Sequence, residues 1–97
     1  MNNEETFGQP LPQGTINVAY TAAAGTTAAL NSLAQAVRLV ATTDCFVEIS
    51  VAGTAALAAS GFYLPAFTPE YFTCLPGSKV SAIQVASGGT IYATAFA

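Results

Sequence analysis

Residues 37–51 read V-R-L-V-A-T-T-D-C-F-V-E-I-S-V, and this stretch decides the fold class. Cys45, Val47, Ile49 and Val51 alternate there with Phe46, Glu48 and Ser50. Successive side chains of a strand point to opposite faces, so the first set forms an apolar core face. Val37 to Thr42 reads as a second strand. Between them Thr43-Asp44 makes a tight turn, where the Asp44 side chain can bond backbone N–H groups. Two strands around a two-residue turn predict a hairpin.

The same grammar continues towards the C-terminus. Ala52 to Ser60 is a small-residue loop, and Gly61 to Leu64 is a short aromatic strand stopped by Pro65. Glu70 to Leu75 is a strand ended by Pro76-Gly77, the strongest turn signal of the chain. Lys79 to Ala86 alternates, with Val80, Ile83 and Val85 as its bulky members. Ser87-Gly88-Gly89 is read as a hairpin turn into a last strand, Thr90 to Phe96.

Towards the N-terminus, Ile16 to Thr21 is a first strand and Ala22 to Thr27 a turn centred on Gly25. Ala28 to Leu30 reads as a short strand followed by a turn at Asn31-Ser32, with one helical turn as the alternative. Residues 1–14 contain Q-P-L-P-Q-G, which cannot enter a central strand. They are read as an extended arm, with a disordered tail as the alternative, and residues 15–97 as the domain. Seven or eight short strands with regular turns predict an all-β chain, an antiparallel sandwich of jelly-roll type. Val37, Leu39, Cys45, Val47, Ile49, Val80, Ile83, Val85 and Ile91 are its expected core.

Composition limits function. Only seven of the 97 residues are charged and none is histidine. Ordinary domains carry charge at roughly 25% of positions. From residue 6 onward the charges are Arg38, Asp44, Glu48, Glu70 and Lys79. So few charges cannot cover a free surface in the ordinary way, and a near-neutral monomer is poorly soluble. The expectation is a homo-oligomer or a part of a larger assembly. A near-neutral body argues against nucleic acid, which demands a basic patch, and against a polybasic membrane anchor. Met1 to Glu5 has neither the positive region nor the apolar run of a signal peptide. Synthesis in a reducing compartment then predicts that Cys45 and Cys74 are reduced.

Without histidine there is no ordinary base near neutral pH, and no enzymatic activity is expected. Cys74 on an apolar strand reads as a structural thiol, and Glu48 with Glu70 as surface residues rather than a glycosidase pair. Two thiols and no histidine make no metal site, and no cofactor is expected. The loop at Ser87 to Thr90 lacks the lysine and the helix of a phosphate loop. The aromatic positions least committed to the alternating core are Phe7, Tyr20, Phe62, Tyr63 and Phe67. Together with Leu11 they are the expected protein-contact residues.

Four segments carry a resemblance: V-R-L-V-A-T-T-D-C at 37–45, Y-L-P-A-F-T-P-E-Y-F at 63–72, L-P-G-S-K-V-S-A-I-Q at 75–84 and G-G-T-I-Y-A-T at 88–94. From Val37 onward the chain resembles small virion structural proteins of tailed bacteriophages, including head-decoration (cement) proteins. The resemblance implies a β-sandwich subunit of a virus particle, made in the host bacterial cytoplasm and without enzymatic activity. It also implies contacts with itself, as a trimer, and with the major capsid protein. A neck, tail or fibre-base subunit and a small carbohydrate-binding module are the competing readings.

Overall fold

The computed structural model describes residues 10–58 and 60–97. Phe7, Glu4 and Glu5, placed by the sequence reading in the arm, lie outside the described residues. The described chain is all-β. Its eight strands are β1 (Pro10–Tyr20), β2 (Gly25–Thr26), β3 (Ala36–Ala41), β4 (Cys45–Ser50), β5 (Phe62–Leu64), β6 (Glu70–Thr73), β7 (Lys79–Gln84) and β8 (Gly89–Phe96). They form two four-stranded sheets, in the orders β1-β8-β3-β6 and β2-β7-β4-β5. Every pairing is antiparallel.

The inner faces of both sheets meet in one core. The first sheet contributes Tyr20, Val37, Leu39, Ala41, Ile91, Ala93 and Ala95; the second contributes Cys45, Val47, Leu64, Val80 and Ala82. Six of the nine expected core residues are fully buried: Val37, Leu39, Cys45, Val47, Val80 and Ile91. The other three follow from strand parity or from their place at strand ends. Val80 and Ala82 face inward on β7, so Ile83 falls on the outer face, opposite Phe46. Val85 lies beyond the end of β7 and is exposed. Ile49 is half-buried near the end of β4, and Val51, past that end, is exposed.

The expected hairpin at Thr43-Asp44 is corrected. β3 belongs to the first sheet and β4 to the second, so residues 42–44 form a corner between layers. Each strand finds better partners elsewhere: β3 lies between β8 and β6, and β4 between β7 and β5. The corner lets Leu39 and Val47 face one core from opposite sides. The turn before Thr90 is likewise a crossing, from β7 to β8, and not a hairpin. Among the described strands only β4 and β5 are successive and paired in one sheet.

Three further boundaries differ. β1 starts at Pro10, so residues 10–14 of the expected arm are strand. Prolines fit there because β1 is an edge strand that pairs only with β8. The six residues Pro10 to Thr15 oppose the three from Phe96 to Thr94, and Gly14 has φ 73° within this bulge. The expected turn at Gly25 contains β2, and the expected strand at Ala28–Leu30 is irregular. Thr27 and Leu30 still donate to the carbonyls of Val80 (2.8 Å) and Ser78 (2.7 Å).

The open sides of the two layers are sealed differently. Between edge strands β5 and β6 the rings of Phe62 and Phe72 pack with centroids 4.6 Å apart. Between β1 and β2 the backbone itself closes in, and a Cβ on Gly25 would collide with the Ala19 carbonyl.

Candidate functional site

The strand directions gather the connections 21–24, 42–44, 65–69 and 85–88 at one end of the two sheets, called here the Asp44 end. Tyr20 anchors it from inside. Its hydroxyl lies 2.8 Å from both the carbonyl and the hydroxyl of Thr43, and accepts from the Thr43 N–H at 3.3 Å. Thr43 Oγ1 donates on to the Ser87 carbonyl at 3.1 Å. Thr42 Oγ1 accepts from the Thr90 N–H at 2.9 Å. Gly89 sits within this knot: a Cβ there would come 2.5 Å from Thr43 Oγ1 and 2.6 Å from Thr42 Oγ1. Tyr20, expected as a contact residue, is therefore core. It is 2% exposed, and its polar tip is occupied.

Asp44 braces the surface of the same end. Its carboxylate accepts from the Tyr63 hydroxyl at 2.7 Å and from the Ala66 N–H at 2.8 Å. Its carbonyl accepts from the Val85 N–H at 3.2 Å. These bonds to the charged form hold the carboxyl below its ordinary value of 3.8, the Tyr63 bond first. The same bond raises the Tyr63 phenol. Phe67 donates its N–H to the Ala41 carbonyl at 2.7 Å and has φ 56°. A bulky residue in the left-handed region is strained. Here the strain holds a ring out in solvent, 72% exposed. Tyr63 (50%) and Val85 (44%) are exposed beside it.

The expected contact residues thus separate. Tyr63 and Phe67 share this end and are exposed. Phe62 is half-buried against Phe72. Leu11 is half-buried against the core. Val85 belongs with the exposed pair although its alternating pattern pointed to the core. The only signal available was its place just before a glycine-rich turn.

The opposite end, called the Leu75 end, gathers residues 27–35, 74–78 and the start of 51–61. Two of these connections are tied together. Cys74 N–H donates to the Gln35 carbonyl at 3.0 Å and Leu30 N–H to the Ser78 carbonyl. Gln13 clamps the first from β1, donating to the Ala29 carbonyl at 3.0 Å and accepting from the Asn31 N–H at 2.8 Å. Leu33 (64%) and Leu75 (68%) stand exposed on this base. The third connection folds over the outer face of the second sheet. There the Ala56 N–H donates to Ser81 Oγ at 2.9 Å, and both residues are fully buried. Val51 and Leu57 remain exposed.

The groups considered for chemistry are dispersed. Glu48 lies on the outer face of the second sheet and Glu70 opens β6 in the first, so they form no carboxylate pair. Cys45 and Cys74 are both free, and burial raises both thiols, which disfavours thiolate. Among the described residues no three potential metal-binding side chains cluster. What the arrangement can do is present apolar side chains on braced loops.

No family model, no curated protein and no solved structure matches this chain.

Proposed function

We propose that this chain is a non-enzymatic structural subunit of a phage virion, a head-decoration protein that clamps neighbouring major capsid subunits. The observation that carries the reading is the exposure of Leu33, Leu57, Tyr63, Phe67 and Leu75 on a chain with seven charged residues. Large apolar groups held in solvent mark contact surfaces. The strand orders support it too. β1-β8-β3-β6 against β2-β7-β4-β5 suits the jelly-roll reading, an architecture used by viral capsid domains. A trimer is the proposed unit, because threefold positions suit decoration subunits. Its many weak contacts would add through effective concentration. With so few ion pairs to screen, attachment should vary little with salt.

The test compares particles with and without this protein under heat and low-salt stress. Decorated particles should break later, and the copy number should match local symmetry axes. Equal breakage, or a few copies confined to a neck or tail, overturns the clamp and leaves a neck, tail or fibre-base subunit. The carbohydrate-binding alternative draws support from Tyr92, exposed on the outer face of the first sheet. Saturable binding to immobilised glycans, lost in Tyr92→Ala, would favour it.

A further inference from the structure

The two ends of the molecule are both apolar, but they differ in charge. At the Asp44 end the exposed Phe67, Tyr63 and Val85 stand among two acids, Asp44 and Glu70, and no base among the described residues. At the Leu75 end Leu33, Leu75 and Val51 are exposed, and Lys79, which opens β7 at this end, reaches the Val51 carbonyl with its amine at 3.5 Å. The remaining charges described, Arg38 and Glu48, lie mid-strand on the outer faces. Both apolar ends are built on tied loops, so neither needs ordering before it binds.

We propose that the Asp44 end of one copy docks on the Leu75 end of the next, with Phe67 as the central anchor against Leu33 and Leu75. This deepens the self-associating part of the virion reading and rests on it. Contact between two Asp44 ends would set acids against acids, whereas contact between unlike ends sets them near Lys79. Apolar area supplies the strength, and charge selects which ends meet. The contact is heterologous, using two different patches, so copies form a closed ring, a trimer included, or a run. The strain at Phe67 gains a purpose here. The Phe67 ring stands 72% exposed on a loop held by the backbone bond to Ala41, and is already placed for the neighbour.

Mixing experiments on the full chain test this. Phe67→Asp spoils one end and leaves the other; Leu33→Asp with Leu75→Asp does the reverse. In sedimentation velocity the wild type should associate with rising concentration. Each variant alone should run as a monomer, its self-association weakened by about tenfold or more. An equimolar mixture should form dimers, because each partner keeps the end that the other lacks. Lys79→Glu should weaken wild-type association a few-fold at low salt and less at high salt, and Lys79→Arg should not.

A wild type that stays monomeric at every concentration overturns the proposal. So does a variant that still associates with itself, which would mean like ends pair or another surface is used. So does a mixture that stays monomeric, which would leave the Leu75 end to residues 1–9 or to a capsid protein. Circular dichroism confirms each variant's fold, and Ser replaces Asp in any that unfolds. Loss of the mixing pattern with wild-type assembly intact removes this contact alone. The virion reading is decided separately, by whether particles contain the chain.

Discussion

Single residues at the Asp44 end carry opposing roles. The Tyr20 hydroxyl serves both the carbonyl and the N–H of Thr43. Tyr20→Phe keeps the ring and strands those groups, so urea unfolding should show a loss of about 1–3 kcal/mol. Phe67 is the reverse case, a side chain that lowers stability where it stands. Asparagine tolerates the left-handed region, so Phe67→Asn should raise stability by about 0.5–1 kcal/mol while weakening association. A variant that loses both would show that the Phe67 ring packs within its own chain. Asp44 sets an acid limit. Its carboxyl is depressed in the folded state, so its contribution is present above the ordinary value of 3.8 and is lost as pH falls through the lower folded value. Tyr63 has the opposite sign: its raised phenol contributes below its ordinary value of 10.0 and loses that contribution as pH rises through the folded value. Melting curves of Asp44→Asn should be flatter than wild type on the acid side.

Among the elements, the connection 51–61 is tied to the second sheet through the Ser81 hydroxyl. Ser81 Oγ accepts from the buried Ala56 N–H and from Thr26 Oγ1 at 3.1 Å. Ser81→Ala leaves the Ala56 donor without its partner. It should cost about 1–3 kcal/mol. Hydrogen exchange should localise the loss, with faster exchange at Ala56 and little change in β3 and β8. Uniform acceleration would mean that this connection and the sheets open together. The edges of the sheets are managed by length and proline. β2 and β5 have two and three residues, and β1 carries Pro10 and Pro12. Short or proline-bearing edges discourage strand addition. In the proposed assembly this leaves the two ends as the contact surfaces.

At the scale of the molecule, the pairing pattern is almost entirely non-local. β1 pairs with β8, and the Thr15 and Thr94 hydroxyls meet at 2.7 Å across 79 residues of chain. Such contacts form only after large loops close. Refolding should therefore take about milliseconds to seconds. β8 also lies between β1 and β3, so both neighbours need it. Removing residues 89–97 should leave a chain with no cooperative thermal transition. A cooperative melt in that truncation would show that the second sheet holds the fold by itself.

The strands were legible because alternation is a local property. Cys45, Phe46, Val47 and Glu48 declare their faces whatever lies opposite, and β3, β4, β6, β7 and β8 fall within a few residues of their expected places. The scarcity of charge, and with it the expectation of a partner, is also plain in composition. Partner choice is not local. Thr43-Asp44 suits a hairpin turn as well as a corner, and only the availability of β7, β8, β5 and β6 makes it a corner. The contact residues divided for the same reason. Tyr20, Phe62 and Phe67 look alike as isolated aromatics in the chain. Thr43 takes the first into the core, Phe72 stacks on the second, and the Ala41 carbonyl with the left-handed turn holds the third in water. Periodicity thus determined which faces are apolar. The meeting of distant strands decided which apolar side chains remain exposed.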